Sequence, residues 1–151
     1  MRGLLLRALP VCLVALASGC FTTSSERAPT VPRSATHAYW QQAGAVLARK
    51  PAGDDMGSMV KLVEYQTDAL HDLSPEGVDP ALVAAVGEVI KCEDEVLRVG
   101  ATFNFSPAEL KINQPMAVVF ADANRKAAES KKKLKAMRGE LNARHGGGFG
   151  G

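Results

Sequence analysis

Cysteine is scarce in this chain, with three residues in 151, at Cys12, Cys20 and Cys92. No Cys-x-x-Cys pair, paired-histidine motif, Ser-His-Asp set or glycine-rich loop entering a helix occurs, so the common redox, hydrolytic and phosphate-binding chemistries have no motif to rest on. Long apolar runs are also missing. A spanning helix needs about 20 apolar residues, and the stretch Ala8–Leu16 is roughly half that length and carries Pro10. Strand-like alternation is confined to Thr102–Phe105, and there are no internal repeats. Aromatic residues make up 5% of the chain and none interleaves with Lys131-Lys132-Lys133, so that basic run lacks the stacking platform of a single-strand nucleic-acid surface.

The N-terminus has three parts. Arg2 and Arg7 are basic, Ala8–Leu16 is apolar, and Ala17-Ser18-Gly19 is small and leads into Cys20. This is the layout of an export signal rather than an anchor helix. The run Leu16-Ala17-Ser18-Gly19-Cys20 resembles the lipobox of bacterial lipoproteins. The resemblance implies removal of residues 1–19, a palmitate-type lipid on Cys20, attachment to a membrane through that lipid, and residence in the cell envelope facing the periplasm or exterior. Phe21 stands where an Asp favours inner-membrane retention, so the outer membrane is implied where there is one. Ala15-Leu16-Ala17 also fits an ordinary signal peptidase. Cleavage there leaves Cys20 a thiol, and a Cys20–Cys92 bridge becomes conceivable. With Cys20 lipidated, Cys92 is the only free thiol.

Residues 20–35 are rich in Ser, Thr and Pro without an apolar period, which predicts a flexible tether. Residues 36–145 read as an all-α domain, a small antiparallel bundle or hairpin of three to four helices, and 146–151 as a loose Gly-rich tail. Thr36 is placed to cap a helix over 37–49, which Lys50-Pro51-Ala52-Gly53 ends. Asp54 or Asp55 caps a second helix over 55–73. Asp79-Pro80 starts a third, with Val78 and Val83 as a staple, running to Val99 and stopping at Gly100. Ser106-Pro107-Ala108-Glu109 combines cap, N1 proline and capping-box Glu, and Pro115 predicts a kink or a short first segment. Beyond it, Phe120, Ala123, Ala127, Ser130, Leu134, Met137 and Leu141 recur at alternating spacings of three and four, a coiled-coil-like seam.

Two polar residues fall on apolar stripes: Gln66 in the second helix and Glu93 in the third. A carboxylate there must be paired, protonated or near the bundle end. The plain expectation is a Glu–Gln or Glu–Lys contact fixing register, and the sharper one a ligand site. Glu64, Asp68 and His71 share a helical face, but it is opposite the apolar stripe, so a solvated acidic face is expected and no metal or other cofactor. His37 and His145 are expected at the surface.

Charge is segregated. Between Asp54 and Glu95 eleven acids face two lysines; from Arg125 to Arg144 eight basic residues face two acids. The expected arrangement is a basic last helix lying against an acidic hairpin, with Asp122–Lys126, Glu129–Lys133 and Glu140–Arg144 as local pairs. The alternative is a basic face meeting anionic lipid or an anionic wall polymer. A final helix longer than its neighbour leaves Leu134, Met137 and Leu141 in an uncovered overhang, which predicts self-association or another envelope protein as partner. No nucleic acid partner and no catalysis are expected. The functional expectation is a structural or adaptor lipoprotein, with a small-ligand or metal-binding module at Gln66 and Glu93 as the alternative.

Overall fold

Three of the four helix starts read from a cap residue are made by that cap, at Asp55, Asp79 and Ser106. In a computed structural model, which describes residues 32–150, the helices are α1 Arg33–Leu47, α2 Met56–His71, α3 Pro80–Ala101, α4 Pro107–Ile112, α5 Gln114–Ala136 and α6 Arg138–His145. Residues 1–31, where the signal peptide, Cys20 and most of the tether are expected, lie outside the described residues, as does Gly151. Asp55 accepts from the Ser58 N–H at 2.9 Å, Asp79 from Ala81 at 2.9 Å and Ser106 from Glu109 at 3.4 Å, satisfying N–H groups that a helix start leaves without an internal partner. Asn113 adds a cap of its own, accepting from Met116 at 3.1 Å, so the break precedes Pro115 and the proline sits in the first turn of α5. Met137 separates α5 from α6 but keeps right-handed helical angles, with φ −63 and ψ −14.

The fold is all-α, and no strand occurs among the described residues. Its register is visible in three contacts between α3 and the last arm: Asp79 with Arg144 and His145, Glu93 with Lys131, and Phe103 with Phe120. Residue numbers fall along one helix as they rise along the other, which is an antiparallel pair. α2 packs on α3, and α1 lies on both. The seam faces inward: Ala123, Ala127, Ser130, Leu134 and Leu141 are buried, with Phe120 and Met137 half-buried beside them.

Three expectations are corrected. First, the overhang is covered. Leu134 and Leu141 are 4% and 0% exposed and share a core with Tyr39, Ala43, Leu82 and Phe149, with Met137 packed against it, because α1 and the C-terminal segment lie over them. The premise for association through this seam is therefore gone. Second, Thr36 is not a cap. The helix begins at Arg33 and takes in the last three residues of the expected tether, and the buried Thr36 hydroxyl accepts from the Asp79 N–H at 3.0 Å. Third, the tail is not loose through Gly150. Gly146, Gly147 and Gly148 take φ values of +77, +89 and +93, turning the chain back so that Phe149 is 1% exposed.

A second core at the other end of α3 holds Val96, Val99, Phe103, Ala123 and Ala127. There α3 ends with Asn104 and Phe105 both at φ +51, and the Phe105 N–H donates to the Gly100 carbonyl at 3.0 Å. The Phe105 ring lies over Gly100 so closely that a Cβ there would stand 1.9 Å from the ring edge. Gly100→Ala is expected to lower stability by about 1–3 kcal/mol through overpacking, against the gain of roughly 0.5–1 kcal/mol usual for this change inside a helix. Thermal melting decides it: an unchanged or higher Tm means that the ring moves aside freely.

Candidate functional site

Glu93 and Gln66 are 1% and 2% exposed, and Lys131 brings them together. The Lys131 Nζ stands 2.5 Å from Glu93 Oε1 and donates to Gln66 Oε1 at 2.8 Å, while the Gln66 amide donates to the Val46 carbonyl at 3.4 Å. One lysine thus ties α2, α3 and α5, and Gln66 extends the contact to α1. The approach to Glu93 is an ion pair without good hydrogen-bond geometry, and both carboxylate oxygens and the Thr67 hydroxyl are buried without a hydrogen-bond partner. Burial pushes the Glu93 carboxyl above its ordinary pKa, and the opposing pull of Lys131 does not fully offset it. Lys131 joins Gln66 and Glu93, the Glu–Lys contact that is the plain expectation for this carboxylate, and occupies the place where the alternative reading puts an interior ligand.

A second polar cluster fastens the end where α3 begins. Asp79 is 4% exposed and does three jobs: it caps α3, pairs with Arg144 at 3.0 Å and accepts from His145 Nε2 at 2.9 Å. Burial alone raises its pKa, but the His145 and Ala81 bonds and the Arg144 charge outweigh it and leave the carboxyl below its usual value. His145 is therefore an interior tie rather than a surface residue, its side chain only 11% exposed. Arg144 reaches Asp79 rather than Glu140, and Glu129 pairs with Arg125 rather than Lys133; Asp122–Lys126 forms as expected.

The C-terminal segment is latched along α1. Arg33 donates to the Gly147 carbonyl at 2.7 Å, His37 to Gly148 at 2.8 Å, and the Trp40 indole to Gly150 at 2.9 Å. Asn142 exchanges two bonds with the Phe149 backbone, and the Phe149 ring meets His37, Trp40 and His145 at centroid distances of 5.4, 6.3 and 5.8 Å. The only sequence signal for this is the Phe within a glycine run.

Two surface features remain. Ile112, Val118 and Val119 at the α4–α5 corner are 78%, 68% and 50% exposed. Further along, an open cleft of about 820 Å³ lies between α1 and the α5–α6 junction, floored by Trp40, Ala43, Leu47 and Leu134 and flanked by Lys135 and Arg138. Among the described residues, the charged groups of the basic arm that pair with another element are Lys131, Arg144 and His145, while Lys132, Lys133, Lys135 and Arg138 are exposed and unpaired. Glu64, Asp68 and His71 are exposed, and no group of three or more His, Cys, Asp or Glu placed to hold a metal occurs among the described residues. Cys92 is half-buried and has no disulfide partner among the described residues, its thiol 3.8 Å from Glu88. Among the described helices none is long and apolar enough to cross a membrane. No family model, curated protein or solved structure matches this chain.

Proposed function

We propose that the chain is an exported, lipid-anchored helical protein of the cell envelope that acts by contact with another envelope protein and not by catalysis. The lipobox-like run ending at Cys20 supports the anchor. One geometric observation carries the adaptor reading. Pro32, where the chain leaves toward Cys20, packs against Gly77 just before α3, whereas the exposed apolar corner of Ile112, Val118 and Val119 follows the far end of α3. A 22-residue helix is about 33 Å long, so this corner and Pro32, the first described residue, stand at opposite ends of α3. These three are large apolar side chains left exposed along one short stretch of chain, and exposed apolar surface is a signature of protein contact. This corner replaces the 134–141 seam as the proposed contact surface. The buried polar groups are paired across helices: Glu93 with Lys131, and Asp79 with Arg144 and His145.

Cys20→Ser is expected to abolish labelling by radioactive palmitate and to release the protein from the membrane fraction. Retained label or retained membrane association overturns the anchor. A photocrosslinking residue at Val118 is expected to trap one discrete partner in intact cells, with Asp68 on the acidic face of α2 as control. Equal or absent capture at both positions overturns the adaptor reading.

A further inference from the structure

The cleft beside Trp40 goes beyond the adaptor reading. Its α1 wall is apolar but for Gln41: Trp40, Ala43, Gly44, Leu47 and Ala48 form one face of the helix at spacings of three and four. Small residues keep it open: Gly44 is exposed, and a Cβ added there would meet nothing within 4 Å. Leu134 closes the floor, and the latched tail forms one end through Gly148 and Gly150. The Trp40 N–H is already bonded to the Gly150 carbonyl, so the indole presents no unsatisfied polar atom to an apolar occupant. The charged side chains lining the cleft are Lys135 and Arg138; neither is ion-paired among the described residues, and no acid lines the cleft. An apolar trough with cations of one sign at its edge is complementary to a molecule with an alkyl chain and an anionic head.

We propose that this cleft binds a single-chain fatty acid, with the alkyl chain lying along α1 between Trp40 and Ala48 and the carboxylate held by Lys135 and Arg138. The run from Trp40 to Ala48 is about 12 Å long, and a cleft of about 820 Å³ is within the size range of small-molecule sites. Arg138 offers a planar fork suited to a carboxylate, and Lys135 a mobile point charge. The proposal does not depend on lipidation of Cys20.

Trp40 is the only tryptophan in the chain, so its fluorescence reports on the cleft directly. Full-chain Cys20→Ser protein in detergent-free buffer is titrated with dodecanoate below its micelle concentration. The expected result is a saturable blue shift that neither dodecyltrimethylammonium nor dodecanol reproduces at the same concentrations. The pair Lys135→Glu and Arg138→Glu is expected to raise the dodecanoate midpoint at least tenfold. Gly44→Leu is expected to fill the trough and remove the response while keeping or raising Tm; should it fail to fold, the charge-reversal pair still decides. No saturation, equal binding of the cationic or neutral alkyl chain, or an unchanged midpoint in the charge-reversal pair overturns the site. A response to phosphatidylglycerol vesicles without one to monomeric dodecanoate also overturns it, because the surface would then be a membrane-docking face.

Discussion

Lys131→Met is expected to cost about 3–5 kcal/mol at pH 7, the usual penalty for leaving a buried charge without its partner. Glu93 remains 1% exposed with both oxygens lacking hydrogen bonds, and the one ammonium that reaches it is gone. The reverse deletion differs in kind. Lys131 is 30% exposed on its side chain and can swing into water, so Glu93→Leu is expected to be neutral or stabilising by about 1 kcal/mol. The double variant is expected near wild type, giving a strong coupling in a double-mutant cycle.

The pH dependence has a definite sign. The Glu93 carboxyl is raised in the folded state, so the native protein binds the extra proton between the unfolded value, about 4.3, and the raised native value. Stability contributed there is present at low pH and declines as pH rises through the native value. Losing Lys131 removes a lowering influence and widens that window. Relative to wild type, the deficit of Lys131→Met should therefore shrink at pH 5 and grow at pH 7. Urea unfolding at the two pH values tests it, and a deficit under 0.5 kcal/mol at both would show that Glu93 reaches water.

Phe149→Ala is expected to destabilise the fold by about 3–5 kcal/mol, as for other fully buried phenylalanines. Phe149 is 1% exposed, packs edge-on to His37 and Trp40, and lies in the same core as Leu134 and Leu141. Its loss leaves a cavity over the end of the seam and releases the carbonyls that hold Arg33, His37 and Trp40. Thermal melting should show the loss, and Trp40 emission should move to the red as the indole gains water. An unchanged melt with unchanged emission would mean that the segment rests on the surface without supporting it. A bystander test is Gly150→Ala, whose Cβ would meet nothing within 4 Å and which should melt as wild type.

Local signals were legible because their physics is local. Asp55, Asp79 and Ser106 act within three residues of themselves, and each makes the cap read from it. The inward face of the last arm followed from spacing alone, since one helix period places Ala123, Ala127, Ser130, Leu134 and Leu141 on a single stripe. Glu93 and Gln66 were visible as polar interruptions of such stripes. Lys131 was not, because a lysine in a basic run carries no mark of which acid it will reach. The same limit hid the second role of Asp79, whose partners Arg144 and His145 lie more than 60 residues away. The glycine run misled in the other direction. Glycines loosen a free chain, but their positive φ also permits the sharp return that seats Phe149.

By itself the sequence determined the helical class, the helix starts at Asp55, Asp79 and Ser106, the apolar stripe of the last arm and the charge of each segment. These are properties of short windows, set by hydrogen-bond geometry and the helix repeat. Tertiary structure alone decided that Lys131 joins Glu93 to Gln66, that α1 and Phe149 cover Leu134 and Leu141, and that an open cleft remains beside Trp40. Those outcomes depend on register and relative placement of distant helices. A shift of one turn, 5.4 Å, would leave every local pattern intact and break all three.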